Sequence, residues 1–495
     1  MVRKLALLAL GLAHVVMFAG NAIAQDAKTV IANAQKALGD VKSITYSGSA
    51  KDVAFQQCGA NKADMNCRGT HDPMRPIDNY VRVIDLSAPL SRATGVTNNI
   101  GAGGSTTIVP GGTFVQQVTA QQADVSQPWN QSLELYLTPW GFLKGAAENN
   151  ATVTKRSGHT VLTWSPKVMA PSGKPYTISG YVDGKNMIDR VETAFGENIM
   201  GDMQIVQTYS GWKDFGGGAI APAKITQTRG GWPFFEVNVT SAKANPADVA
   251  TIAVPPPPPA GRGGPGGGGP GRGPAPALMV TTDKLGDGLW KLTTGAGSYD
   301  SIIVEFKDYL MMLEAGQSEA RALAYLAEIK KLVPNKPIRY VWNSHPHSDH
   351  TGGLPTLVAE GATIVTQKNN VAFLEKALNT PRTLLNDTLA KNPKKAKVEG
   401  VDEKRVFSDG VRTVEIYHVA PVPHSNGLTI AYIPKEKILF QGDFTVTPGE
   451  PANDHVKALG PIVLDKLKLD FDKYIPVHAG NAPQTKADFV KALGR

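Results

Sequence analysis

The sequence is poor in cysteine, in charged residues and in long apolar runs, and each shortage excludes a class of protein. Two Cys among 495 residues exclude a disulfide-built scaffold and a zinc ribbon. Apart from one short N-terminal run, no stretch approaches the roughly 18 apolar residues of a membrane span, so no transmembrane span is predicted. Charged residues make up only 19%, and the net charge of +8 forms no Lys/Arg stripe with interleaved aromatics. Nucleic acid is therefore not an expected partner.

The N-terminus has the three parts of a secretory signal. Arg3 and Lys4 are positive, residues 5–18 are mostly apolar, and Ala22-Ile23-Ala24 is a small-x-small cleavage site. Residues 1–24 are therefore predicted to be a signal peptide. We expect an exported protein, periplasmic if the source is Gram-negative. An uncleaved membrane anchor is the alternative.

The two cysteines lie close together in a polar segment. Cys58 and Cys67 bound the stretch CGANKADMNC. An oxidising compartment favours a local disulfide between them, and two free thiols are the alternative.

A segment rich in Gly and Pro divides the mature chain. Residues 255–276 read PPPPPAGRGGPGGGGPGRGPAP, which can hold neither a helix nor a strand ladder. Residues 255–276 are therefore predicted to be a linker between a domain at 25–254 and a domain at 277–495.

The first half is predicted to be a mainly antiparallel β domain with little helix. It opens with a helical pattern that ends at Leu38, and β-prone runs follow, among them Leu133–Leu137 and Thr152–Trp164. No catalytic constellation is present, and His71 and His159 are interpreted as surface or structural. The closing part, TYSGWKDFGGGAIAPAKITQT followed by FFEVNVTSAKANP, resembles the last strands of LolA-like lipoprotein-carrier half-barrels. That resemblance implies a lipid or other apolar ligand, and a role as a spacer or oligomer interface is the alternative.

The second half alternates strand and helix patterns, which predicts an α/β fold with layers of both. After the strand pattern Arg339–Trp342 the chain reads NSHPHSDHTGG, which places His345, His347, Asp349 and His350 in one loop. Residues two apart in an extended segment project to one side, so His345 and His347 can bind one ion. The adjacent pair Asp349 and His350 can reach a second ion close by.

Three further candidate ligands follow strand patterns later in the chain. His424 lies in PVPHSNG, Asp443 in LFQGDF and His478 in YIPVHAG. Imidazole and carboxylate groups without a thiolate suit Zn²⁺ and tolerate Fe or Mn. Two such cations can lower the pKa of a shared water towards neutrality and polarise a substrate oxygen. His418 and His455 lie near these motifs and are interpreted as non-ligands.

The order His-x-His-x-Asp-His, a lone His, Gly-Asp and a late His resembles the signature of metallo-β-lactamase-fold hydrolases. The resemblance covers about 280–495 and implies an αβ/βα sandwich with two metals at one edge. It implies that Asp443 bridges a first metal and a second metal. It further implies the ligands His345, His347 and His424 for the first metal, and Asp349, His350 and His478 for the second.

The chain also departs from the family pattern. Glu314 stands where the family often has Asp, and its effect is left open. This half has no Cys, which excludes lactamases with a Cys ligand. Asp443 in place of the Ser usual in lactamases with His-x-His-x-Asp-His favours the glyoxalase-II, lactonase and periplasmic-hydrolase branches.

The leading functional hypothesis is an exported dinuclear metal-dependent hydrolase acting on a small molecule. A metal-bound hydroxide, oriented by Asp349, would attack an ester, thioester, lactone, amide or phosphoester. The alternatives are a lipid-binding or apolar-ligand-binding module with a subordinate metal domain, a β-lactamase-like amide hydrolase, and redox chemistry at an iron site.

Overall fold

The structure is a computed structural model. It describes residues 26–52, 74–100, 108–118, 129–253, 278–294, 299–447, 449–478 and 484–495. The predicted signal peptide at 1–24, the pair Cys58 and Cys67, His71 and the predicted linker at 255–276 lie outside the described residues.

The described part of the N-terminal half is dominated by antiparallel strands. Its strands are β1 (Ser43–Asp52), β2 (Arg75–Asp85), β3 (Leu90–Ile100), β4 (Ile108–Val118), β5 (Thr152–Arg156), β6 (His159–Trp164), β7 (Ile178–Val182), β8 (Ile188–Glu197), β9 (Gly201–Ser210), β10 (Lys213–Asp214), β11 (Ile220–Ala221), β12 (Lys224–Arg229) and β13 (Trp232–Ala244). Its helices are α1 (Ala27–Leu38), α2 (Trp129–Tyr136), α3 (Pro139–Glu148) and α4 (Val249–Ile252).

Eleven of these strands form one sheet, in the order β4-β3-β2-β1-β13-β12-β9-β8-β7-β6-β5. From β1 the order runs outwards along the chain to β4, and from β13 it runs outwards against the chain to β5. Strands β1 and β13 pair although they are the first and last strands of the N-terminal half. Strands β10 and β11 form a separate hairpin. The mainly antiparallel prediction agrees with this sheet.

Helices α1 and α3 pack with the apolar residues of this sheet in one core. Trp140, Phe142 and Leu143 of α3 are buried there. The approach of α3 is close, because a Cβ at Gly180 would lie 2.2 Å from the ring of Phe142. A larger residue at position 180 would therefore push the helix off the sheet.

One strand prediction in this half is wrong. Leu133–Leu137 belongs to helix α2 and the turn after it, where the Leu137 N–H donates to the Leu133 carbonyl at 2.8 Å. Leucines at every second position also lie four apart, so a run this short fits a helix as well as a strand. The run Thr152–Trp164 is two strands, with a turn at Ser157 and Gly158.

The C-terminal half contains two further sheets and the helices that cover them. The first sheet consists of β14 (Val280–Gly286), β15 (Leu289–Thr294), β16 (Tyr299–Glu305), β17 (Leu310–Leu313), β18 (Ile338–Trp342), β19 (Thr363–Gln367) and β20 (Lys397–Val401). The second consists of β21 (Lys404–Ser408), β22 (Thr413–His418), β23 (Thr429–Ile433), β24 (Ile438–Gln441), β25 (Lys473–Pro476) and β26 (Gln484–Thr485). The α-helices are α5 (Glu319–Leu332), α6 (Ser348–Thr351), α7 (Leu354–Glu360), α8 (Val371–Leu378), α9 (Thr388–Lys391), α10 (Asp454–Pro461) and α11 (Lys486–Ala492).

These elements form four layers. Buried residues from both sheets, such as Trp342 and Phe440, form one core between the sheets. Tyr325 of α5 and Leu357 of α7 cover the first sheet and belong to the same apolar cluster as Trp140 and Phe142 of α3. Val456 of α10 and Phe489 of α11 cover the second sheet. The arrangement is an αβ/βα sandwich, and the α/β prediction is confirmed. Among the described residues, no helix has the length and apolar character that a bilayer crossing requires.

Candidate metal centre

The first four candidate ligands follow strand β18 of the first sheet. His345 and His347 lie in the connection after β18, and Asp349 and His350 lie in the one-turn helix α6. The Asn343 side chain donates to the His350 carbonyl at 3.0 Å, and this bond closes the loop on itself. All three histidines are buried. The loop therefore holds its imidazoles in fixed positions inside the protein.

The other three candidates come from the second sheet. His424 lies between β22 and β23, Asp443 follows β24 by two residues, and His478 follows β25 by two residues. Strands β24 and β25 are parallel, so their carboxyl ends meet at one edge. A Cβ at Gly442 would lie 3.0 Å from the Ser344 hydroxyl, so the absence of a side chain lets Asp443 approach the histidine loop.

One group of four side chains converges on a single point. His345 Nε2 lies 2.9 Å from His347 Nδ1 and 3.0 Å from His424 Nε2. Asp443 Oδ2 lies 2.9 Å from His424 Nε2 and 3.6 Å from His345 Nε2. We call His345, His347, His424 and Asp443 the first group.

A second group adjoins the first and shares Asp443. His350 Nε2 lies 2.8 Å from Asp443 Oδ1 and 3.6 Å from Asp349 Oδ2. His478 Nε2 lies 3.2 Å from Asp349 Oδ2 and 3.3 Å from Asp443 Oδ1. We call Asp349, His350, His478 and Asp443 the second group. The two oxygens of Asp443 thus face different groups.

The separations fit a divalent cation. Bonds of about 2.0–2.1 Å around tetrahedral Zn²⁺ place neighbouring ligand atoms about 3.3 Å apart. In each group the candidate ligand atoms lie within 4.8 Å of one another. Within the described residues, Asp349 Oδ1 and His424 Nδ1 are buried without a hydrogen-bond partner. Nitrogen and carboxylate oxygen donors without sulfur form a set that Zn²⁺, Fe or Mn can use.

Burial keeps two histidines of the first group neutral. The pKa of His345 and of His347 lies well below the usual value. Desolvation by burial is the main cause, and the neighbouring imidazoles lower the pKa further. A neutral imidazole has the free lone pair that metal binding requires. These two side chains are ready to ligate at neutral pH.

In the second group, neighbouring carboxylates favour protonated histidines in spite of their burial. Burial lowers the pKa of His350, but the carboxylates of Asp443, Glu314 and Asp349 raise it well above the usual value. Burial likewise opposes protonation of His478, but hydrogen bonds to Asp349 and Asp443 raise its pKa to about 9. Burial raises the pKa of Asp349, and His350 and His478 bring it down to about 2. The carboxylates of this group are therefore ionised and its histidines hold protons.

Glu314 supports the centre from behind, a role that the sequence left open. It is fully buried after β17 and has a left-handed backbone, with φ +68°. Its Oε1 accepts the Ser344 N–H at 2.8 Å, and its Oε2 accepts the Tyr299 hydroxyl at 3.0 Å. The same Oε2 lies 3.3 Å from His350 Nδ1. Glu314 therefore fixes both the loop and the orientation of the His350 ring.

The remaining described histidines lie outside both groups. The His455 ring stands edge-on to His424 at 5.1 Å between centroids, and His418 Nε2 lies 3.2 Å from the Asn426 carbonyl. His159 lies 2.5 Å from Asp189 in the N-terminal half. Neither converging group includes any of these three.

Comparisons with known proteins include a family model that matches part of the C-terminal half. The family model described as metallo-beta-lactamase superfamily matches residues 294–482. The alpha subunit of 2,4-dinitroanisole O-demethylase from Nocardioides sp. (strain JS1661) is 22% identical over 203 residues. That alignment covers 40% of this chain and 57% of the length of the relative.

Solved structures that are similar to this chain include the following two metallo-beta-lactamases. The one from Pontibacter korlensis is 19% identical, with a TM-score of 0.32, over 44% of this chain and 98% of that chain. The one from Hirschia baltica is 20% identical, with a TM-score of 0.33, over 43% of this chain and 96% of that chain. The family match and the observed αβ/βα sandwich agree, and the C-terminal half of this chain therefore carries a domain of the metallo-β-lactamase superfamily at residues 294–482.

Proposed function

We propose that the C-terminal half is a dinuclear metal-dependent hydrolase. One observation carries the proposal: Asp443 presents Oδ2 to His345 and His424, and Oδ1 to His350 and His478. A carboxylate with one oxygen in each of two adjoining groups suits a bridge between two ions. His345, His347 and His424 would hold one cation, and Asp349, His350 and His478 would hold the other.

Two divalent cations at this site would supply Lewis acidity, which acidifies a water and polarises a substrate oxygen. The protein's own part is positioning. The neutral rings of His345 and His347 offer lone pairs at neutral pH. Asp349 is ionised, so a carboxylate oxygen is available to accept a hydrogen bond from a nucleophilic water and to orient it. Glu314 keeps the His350 ring in place.

The substrate classes that this chemistry serves are esters, thioesters, lactones, amides and phosphoesters, in each of which an oxygen gains negative charge during attack. A second candidate is cleavage of an activated aryl methyl ether. It is favoured by the match to the alpha subunit of 2,4-dinitroanisole O-demethylase. Both reactions would use the same side chains, so a substrate panel separates them.

The test combines metal content with turnover. Plasma emission on the purified full chain should find about two equivalents of Zn, Fe or Mn, and a panel of esters, lactones, β-lactams, phosphodiesters and 2,4-dinitroanisole should contain a substrate. Asp443→Ala should lose metal and all turnover, because it removes a ligand from both groups. His159→Ala, in the N-terminal half, should retain both. Wild-type protein with less than one equivalent of metal and no turnover would refute the proposal.

We also propose export, with cleavage after Ala24 and a disulfide between Cys58 and Cys67. Mass spectrometry of the protein recovered from the periplasm of a Gram-negative host should give a chain that starts at Gln25 and lacks free thiols. An intact N-terminus or two titratable thiols would contradict these points.

The alternative of a lipid or apolar ligand in the N-terminal half gains no support from the packing of the residues that the structure describes there. The apolar residues of its sheet form a core with α1 and α3. A lipid extract of the purified chain that contains a stoichiometric lipid would restore that alternative.

A further inference from the structure

A turn of the N-terminal half touches the loop that carries the candidate ligands. Asn198 lies between β8 and β9, and its side-chain Nδ2 donates to the Gly352 carbonyl at 2.9 Å. The two residues are 154 positions apart. Gly352 follows His350 by two residues. An amide from the other half of the chain therefore holds the backbone beside a second-group histidine.

Gly352 has little freedom on its other side. Its N–H donates to the Ser348 carbonyl at 3.0 Å and closes α6, the helix that contains Asp349 and His350. A Cβ at Gly352 would lie 2.0 Å from the Gln317 carbonyl oxygen. The next residue, Gly353, donates its N–H to Gly316 at 2.9 Å. The end of the ligand loop thus lies between the 316–317 backbone and Asn198.

The turn that presents Asn198 is itself firmly held. The Glu197 carboxylate accepts the N–H groups of Ile199 at 2.8 Å and Met200 at 2.7 Å. Arg382 of the C-terminal half is buried and donates to the Asn198 carbonyl at 2.5 Å. Asp202, two residues beyond Met200, accepts the N–H groups of 383 and 384 at 2.9 Å each. A turn with these contacts can fix the position of the Gly352 carbonyl, which Asn198 contacts.

We infer that Asn198 is a positioning residue of the metal centre, so that the N-terminal half completes the support of the second group. The inference rests on the proposed function in so far as the second group binds a metal ion. The Asn198 amide restrains the Gly352 carbonyl, this restrains α6, and α6 sets the separation of Asp349 and His350 from His478. Partners that lie behind a ligand typically change metal affinity by roughly 10–100-fold when removed.

The test uses the full chain with Asn198→Ala and with Asn198→Asp, which keeps the size and loses the donor. Asn392→Ala is the matched control, because Asn392 Nδ2 donates to the Ala359 carbonyl at 2.9 Å near the far end of α7. The first readout is hydrogen exchange of the 343–353 backbone without metal. The second is a Co²⁺ titration followed by visible absorption.

Both Asn198 variants should exchange faster over 343–353 and should bind the second Co²⁺ equivalent roughly tenfold more weakly, with the first equivalent unchanged. Asn392→Ala should match wild type in both readouts. Wild-type behaviour of both Asn198 variants would overturn the inference, as would an equal shift in Asn392→Ala. If wild type binds no Co²⁺, the proposed function fails, and the exchange measurement alone decides whether Asn198 positions the loop. If Asn198→Ala does not fold, Asn198→Asp decides.

Discussion

The two groups of the candidate centre should respond differently to pH, because they start from different protonation states. His345 and His347 have pKa values well below the usual value and lose no proton when a metal binds. His350 and His478 have raised pKa values and must give up protons. Metal binding to the second group should therefore strengthen as the pH rises, and His345 and His347 should add no such rise at the first group.

The magnitude follows from His478, whose pKa is about 9. At pH 7 about one molecule in 100 has this imidazole deprotonated, and at pH 9 about half do. Affinity at the second group should therefore rise by roughly 50-fold between pH 7 and pH 9 from this proton alone. His350, whose pKa is also raised, adds to the rise.

The assay is calorimetric titration of the apo full chain with Zn²⁺ at pH 7, 8 and 9, in buffers of differing ionisation enthalpy. One binding event should release more protons and tighten more steeply with pH than the other. His478→Asn should reduce both the proton release and the pH slope of the steeper event. Equal pH slopes for the two events, or no proton release, would refute the assignment of charge to these groups.

Two further predictions concern the supports of the centre. Glu314→Gln removes the charge that faces His350 Nδ1, and should weaken metal binding by roughly 10–100-fold in a chelator competition; unchanged affinity would show that Glu314 only packs. Arg382→Ala leaves the buried Asp387 carboxylate and the Asn198 carbonyl without this donor. Urea unfolding should show that the free energy of unfolding falls by about 3–5 kcal/mol. A fall of less than about 1 kcal/mol would contradict the claim that Arg382 and Asp387 form a buried ion pair.

The layered fold of the second half could be predicted because parallel strands need helical crossovers. The strand pattern Arg339–Trp342 lies within β18, and the helix pattern 319–332 has the bounds of α5. The candidate ligands could be chosen because His and Asp recur directly after strands. The structure brings all seven into two adjoining groups.

Other features depend on contacts that leave no pattern in the sequence. The pattern of Leu133–Leu137 predicts a strand, but the segment belongs to a helix and the turn after it, and its leucines are buried. The support from Glu314 needs Ser344, 30 positions away. The contact of Asn198 with Gly352 joins two halves of the chain. Spacing rules describe neighbours within one element, so they give no information about such pairs.

The most direct test of the central claim is anomalous diffraction from crystals of the full chain grown with Zn²⁺ and measured at the zinc edge. Two peaks should lie on either side of the Asp443 carboxylate. One should be bounded by His345, His347 and His424, and the other by Asp349, His350 and His478. Absence of peaks at Asp443, or zinc bound only at other residues, would contradict the claim that these seven side chains form a two-metal centre.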